Sequence, residues 1–399
     1  MARDDDPPVE WLDLDGLPGA DAPATPTRQR WPRWTPIVLL VIVALVVTAV
    51  ISKRHHASPS AATTSRPPAS THSSSSAPAP SHTRTPPPVV VTDVGHPLLG
   101  VSAGWELFGR GSDSVVDIKL ATGRIVRTSV PGLGSGGGVS FVVGADRAIV
   151  RPLGFVPGYV VPDGKPVAEL RSALDQGGQA LPGPDLNHVW VESGIPGPDS
   201  MKLTDLDGKP TGVSIPIPQE FGDVVADGTG YLVVSGVGGA YEARPDGLHR
   251  ITTGRVLAIG PTRWLTYECD EFAQCKAVAV DRAGGARQVL GGNRYLGAAD
   301  GVISPDGSTA ALLLFDPAAS GSLSLHLVDL HSGADHRISL TVAADNPGGH
   351  VVWSPDSRWV FVSSIGEQVS AVDAHDRSVH DLGVHLPPVS QLAIRPARR

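Results

Sequence analysis

The sequence predicts an all-β fold, a ring of seven four-stranded blades with six or eight as alternatives, preceded by a transmembrane helix and a disordered stalk. Three observations carry this reading. From about Val89 onward, short β-rich runs alternate with turn signals at a fixed period. Gly and Pro supply 46 and 37 of the 399 residues, which points to many turns and short elements rather than long helices. One apolar run, Pro36 to Ile51, stands near the N-terminus between basic and aromatic residues.

The chain divides into four expected parts. Residues 1–33 read as a disordered acidic cytoplasmic tail, in which Asp13 and Asp15 interleave with Trp11, Leu12, Leu14 and Leu17. Residues 34–52 read as a transmembrane helix. The apolar run is short for a bilayer, and Trp34, Thr35 and a snorkelling Lys53 extend it to the lower limit. The long polar lead and the lack of a small-residue cleavage site argue against a removable signal peptide. Residues 53–88 are a Ser/Thr/Pro-rich linker that can bury no core. Residues 89–399 hold the repeat.

Two markers interleave along the repeat. One is a tight turn before a strong strand, as in GPDLNHVWV from Gly183, SPDGSTAALLL from Ser304 and SPDSRWVFVSS from Ser354. Pro presets φ, Asp bonds its own backbone, and Gly takes positive φ. The other is a hairpin turn between strands, as in VVPDGKPV around Gly164 and LVDLHSGADHRI around Gly333. From Gly123 to Asp376 the hairpins recur about every 42 residues, the length of a four-stranded propeller blade. An open ring would leave two bare sheet edges. Val389–Pro396 is therefore expected to pair with the first blade, Trp105–Val130, with Pro97–Val101 as the other candidate strand.

Through Ser304-Pro305-Asp306-Gly307, Trp353-Ser354-Pro355-Asp356 and the VDL hairpins, residues 89–399 resemble the TolB-like and WD-repeat propellers. The Gly-His and Trp-Asp signature of WD repeats is missing, so the TolB-like kind is the nearer. The resemblance implies a disc with an axial channel, generally a binding scaffold, and specifies no ligand.

Several residues have the types that carry chemistry. Cys269 and Cys275 lie at the end of one strand and the start of the next, with five residues between them, and are expected to form a disulfide in an oxidising compartment. The spacing suits neither zinc nor a redox pair. Gly100–Gly104 fits G-x-S-x-G, and Gly132–Gly137 fits G-x-G-x-x-G, but each precedes a strand rather than the helix its chemistry needs. His331 aligns with His375 and His336 with His380 on outer strands, so these and His326 and His385 read as surface residues rather than metal ligands. Trp190, Trp264, Trp353 and Trp359 read as packing between blades, and Asp205 and Asp207 as turn residues.

No catalytic, cofactor or metal site is expected. A net charge of −8 argues against nucleic acid. The expected function is a single-pass, membrane-anchored, extracytoplasmic propeller that binds protein or glycan at one face, with the N-terminus cytoplasmic. The rivals are a hydrolase or lyase acting on an exported polymer, and a sensor signalling through the acidic tail. The loops nominated for ligand contact are Gly132–Gly138, Gly194–Ser200, Gly291–Tyr295 and Asp316–Gly321.

Overall fold

The computed structural model describes residues 89–397, apart from 134–137, 153–156, 171–173, 175–177, 194–199, 219, 237, 292–294, 296, 316–321, 344–348 and 367. The expected tail, span and linker lie outside the described residues. Among the described residues no helix is long and apolar enough to cross a membrane.

The described chain is all-β and propeller-like, with 29 strands and one short 3-10 turn, Leu98–Gly100. The first sheet runs β1 (Val89–Asp93), β4 (Arg124–Ser129), β3 (Ser114–Lys119), β2 (Glu106–Arg110) and the last strand, β29 (Gln391–Arg395). The second is β5 (Val139–Val143), β6 (Arg147–Pro152), β7 (Tyr159–Pro162) and β8 (Ala168–Glu169). The third is β9 (Ala180–Pro182), β10 (His188–Ser193), β11 (Ser200–Asp205) and β12 (Pro210–Pro216). The fourth is β13 (Phe221–Ala226), β14 (Leu232–Gly236), β15 (Gly239–Arg244) and β16 (Gly247–Thr252).

The fifth sheet has eight strands. One half is β17 (Arg255–Ile259), β18 (Arg263–Cys269), β19 (Cys275–Asp281) and β20 (Arg287–Gly291). The other is β21 (Ala298–Ile303), β22 (Thr309–Phe315), β23 (Ser322–Asp329) and β24 (Asp335–Ala343). The sixth sheet is β25 (Val351–Trp353), β26 (Trp359–Ser363), β27 (Val369–Asp373) and β28 (Val379–Asp381).

Hydrogen bonding thus gives six sheets among the described residues, which corrects the expected seven. The difference arises where β17 and β21 run parallel and pair at Ile259 and Val302. Two glycines allow that approach. A Cβ on Gly260 would sit 2.6 Å from the Ile303 Cβ, and one on Gly301 would sit 2.5 Å from the Leu257 carbonyl oxygen.

Successive sheets touch in a closed circuit. β29 touches β5, β5 touches β9, β9 touches β13, β17 touches β15 and β21, β21 touches β25, and β25 returns to β29. The apolar cores lie between neighbouring sheets. Trp105, Leu107 and Ile118 of the first sheet pack with Phe361 and Ala371 of the last, and Phe108 and Val115 pack with Val150 and Tyr159 of the second. Strands buried on both faces need near-continuous apolar runs, which is why Ala310–Leu314 is buried throughout.

The tail closes the ring as expected. β29 pairs antiparallel with β2, from Glu106 opposite Arg395 to Arg110 opposite Gln391. The seam demands glycine at one point: a Cβ on Gly111 would lie 2.2 Å from the Pro388 carbonyl oxygen. Pro97–Val101 supplies no strand. Instead β1 covers the outer edge of the first sheet, pairing Val89 with Thr128 and Asp93 with Arg124.

Candidate functional site

The short final meander leaves β28 at the end of its sheet, and the chain from Leu382 to Leu386 folds back beside it. Between them lies a groove of about 500 Å³, bordered by Gln368, Ser370, His380, Asp381 and His385 over an apolar floor at Val369 and Leu386. His380 stands edge-on to Trp359, 5.4 Å between ring centres, and its Nε2 lies 2.6 Å from the Ser378 hydroxyl. Donors and acceptors of both kinds line the wall, so the groove can hold a polar chain on an apolar base. An end strand also offers backbone groups to an extended ligand.

Charged joints knit neighbouring sheets. Arg395 donates to both carboxylate oxygens of Asp163 at 2.8 Å and to Glu106 at 2.9 Å, while its guanidinium lies 4.4 Å from the Phe108 ring centre. Lys119 closes the group on Glu106 at 2.9 Å. Beneath them Asp117 is 7% exposed, and no hydrogen-bond partner meets its Oδ1 among the described residues. Burial, followed by the nearby Glu106 carboxylate, pushes the Asp117 carboxyl up to about 7 against the pull of Lys119 and Arg395.

A second joint repeats the pattern. Arg282, stacked 4.6 Å over Trp264, bridges the buried carboxylates of Asp227 and Glu242 and reaches the Thr229 hydroxyl at 2.9 Å. Burial raises the Asp227 carboxyl, but hydrogen bonds from Arg282 and Thr229 outweigh it and hold the group below the usual range. A third joint runs from Arg147 to Asp207 at 2.7 Å.

Cys269 and Cys275 form the disulfide, opposite one another at the end of the β18–β19 ladder. The four nominated loops fall largely outside the described residues. Ser102 of the G-x-S-x-G match is exposed and is followed by β2, so no nucleophile elbow forms. His336 and His380 occupy matching outer strands, β24 and β28. Among the described residues no group of three His, Cys, Asp or Glu could hold a metal ion.

Trp190 and Trp353 donate their indole N–H to Gly230 and Val302 of neighbouring sheets, so both serve inter-sheet packing. Asp205 accepts from the amides of Asp207 and Lys209, as a turn residue does. The joints escaped the sequence reading because their partners lie far apart in the chain, and the groove because it depends on how Leu382–Leu386 fold back beside β28. The one available signal was a charged residue at the strand-end turns, as in Asp163, Asp227, Arg282 and Arg395.

No protein family and no curated protein matches the chain. Solved structures do resemble it. One is a functionally unknown protein from Desulfotomaculum acetoxidans, 13% identical, with 74% of this chain and all of that one covered and a TM-score of 0.46. AztD from Citrobacter koseri is 14% identical over 74% of this chain and 98% of its own, with a TM-score of 0.42. TolB from Acinetobacter baumannii is 15% identical over 74% of this chain and 67% of its own, with a TM-score of 0.40. The fold itself, read from the strands, defines a propeller-like all-β module.

Proposed function

We propose that this chain is a single-pass, membrane-anchored binding module whose propeller lies outside the cytoplasm and engages protein or glycan. The observation that carries the reading is the groove beside β28, a polar-walled concavity on a ring sealed by its own last strand. The Cys269–Cys275 bridge supports an oxidising compartment. Entry of the chain through β1, at the outer edge of the first sheet, supports attachment through the N-terminal segment.

Intact cells carrying the full chain with an N-terminal epitope tag provide the test. Added protease should shave the ring and spare the tag, and immobilised cell-surface protein and glycan fractions should bind wild type more tightly than His380→Ala/His385→Ala. A ring protected from external protease, or equal binding by the variant, would overturn the proposal.

A further inference from the structure

Ser324 and His326 stand two residues apart on β23, so their side chains share one face of the sheet. The Ser324 hydroxyl lies 3.1 Å from His326 Nε2, and His326 Nδ1 lies 2.8 Å from Asp335 Oδ1 on the next strand. A carboxylate oxygen only accepts, so Nδ1 carries the ring proton and Nε2 is left with a lone pair toward the hydroxyl. The hydroxyl has one proton to place. Its other acceptor, the Leu314 carbonyl, is farther away at 3.4 Å, so the proton goes to Nε2. Nucleophile, base and orienting acid are then joined in sequence at the distances acyl transfer requires.

The repeat itself shows that the fold does not need this trio. Asp281, Asp329 and Asp373 each accept the amide two residues on at the same hairpin turn, which fixes the register between β19, β23 and β27. At that register Ser324 corresponds to Lys276 and Gln368, His326 to Val278 and Ser370, and Asp335 to Arg287 and Val379. Neither neighbouring meander carries any part of the arrangement. The ladder is also interrupted here: between Ser324 and His326 the pairing jumps from Thr341 to Arg337, a bulge of the kind that re-aims side chains at reactive sites.

We propose that Ser324, His326 and Asp335 form an acyl-transfer centre, with Ser324 as nucleophile, His326 as general base and Asp335 as positioning residue. Its substrate class is a carboxylic ester with a short apolar acyl group. Leu314 and Leu312 stand opposite Ser324 and His326 on β22, which makes the surroundings of the trio apolar. Ser324 Oγ bonds to the acyl carbon as its proton passes to His326 Nε2. The ester C–O bond then breaks, and the imidazolium returns the proton to the leaving alcohol. Water, deprotonated by the same nitrogen, releases the acid and restores the serine. This activity is separate from the binding role and survives or fails independently of it.

A fluorophosphonate reagent tests the centre on the full chain in detergent micelles. Its Oγ–P bond forms as P–F breaks and fluoride leaves, so activation of the nucleophile is read directly. Mass spectrometry should place the adduct on Ser324. Ser324→Ala should abolish it, and His326→Gln should slow labelling roughly 100-fold. Asp335→Asn should slow labelling and displace its pH profile, and Asp335→Glu should restore part of the rate. Unchanged melting temperatures exclude misfolding as the cause. No adduct at Ser324, or labelling indifferent to His326→Gln, would overturn the assignment.

Discussion

Arg395, in the last strand of the chain, grips Asp163 of the second sheet through two hydrogen bonds of 2.8 Å while also holding Glu106 on its own neighbour strand. One side chain therefore ties the closing strand to the first sheet and the first sheet to the second. Its burial, at 2% exposure, gives the contact weight that an exposed pair would lack. Arg395→Met should cost about 3 kcal/mol, because Glu106 and Asp163 keep their charges and lose their shared cation. Chemical denaturation measures the loss. A change within 0.5 kcal/mol would show that the clamp is idle.

Asp117 makes stability depend on pH in an unusual direction. Its carboxyl sits at about 7 in the fold, above the ordinary carboxylate value it regains on unfolding. Between those values the folded chain binds more protons than the unfolded one, so this group's contribution is full below the lower value and fades as pH rises through about 7. Asp117→Asn should therefore flatten the decline between pH 5 and 8 and add on the order of 2 kcal/mol at pH 8. Thermal melts across that range decide it, and parallel pH curves for the two proteins would refute it.

The Cys269–Cys275 bridge closes a hairpin with a sequence separation of six. So short a loop leaves little entropy to remove, and a Cys269→Ser/Cys275→Ser variant should lose about 2 kcal/mol while keeping its β-sheet circular dichroism. Collapse of the fold on reduction would contradict this, since the β18–β19 ladder extends well beyond the bridge.

Gly111→Ala should strike the seam. The added methyl would meet the Pro388 carbonyl oxygen, part of the rigid backbone leading into β29. Limited proteolysis should then cleave the C-terminal segment faster than in wild type, and Gly284→Ala, which meets nothing within 4 Å, serves as the control. Equal cleavage of the two variants would count against the seam.

The sequence by itself determined what repeats and what is local. Turn chemistry at Ser304–Gly307 and Ser354–Asp356 marked the strand ends, and the spacing of hairpins set the four-stranded unit. The short loop between Cys269 and Cys275 made their bridge legible, and the spare strand after Val389 announced the closure. Each of those signals acts over a few residues or at a constant period. Only the tertiary structure decided the union of β17 with β21, the clamp from Arg395 to Asp163 and the burial that raises the Asp117 carboxyl. These depend on which sheet faces which and on how deeply a charge is covered. Burial and proximity are properties of the closed ring, and no stretch of chain encodes them alone.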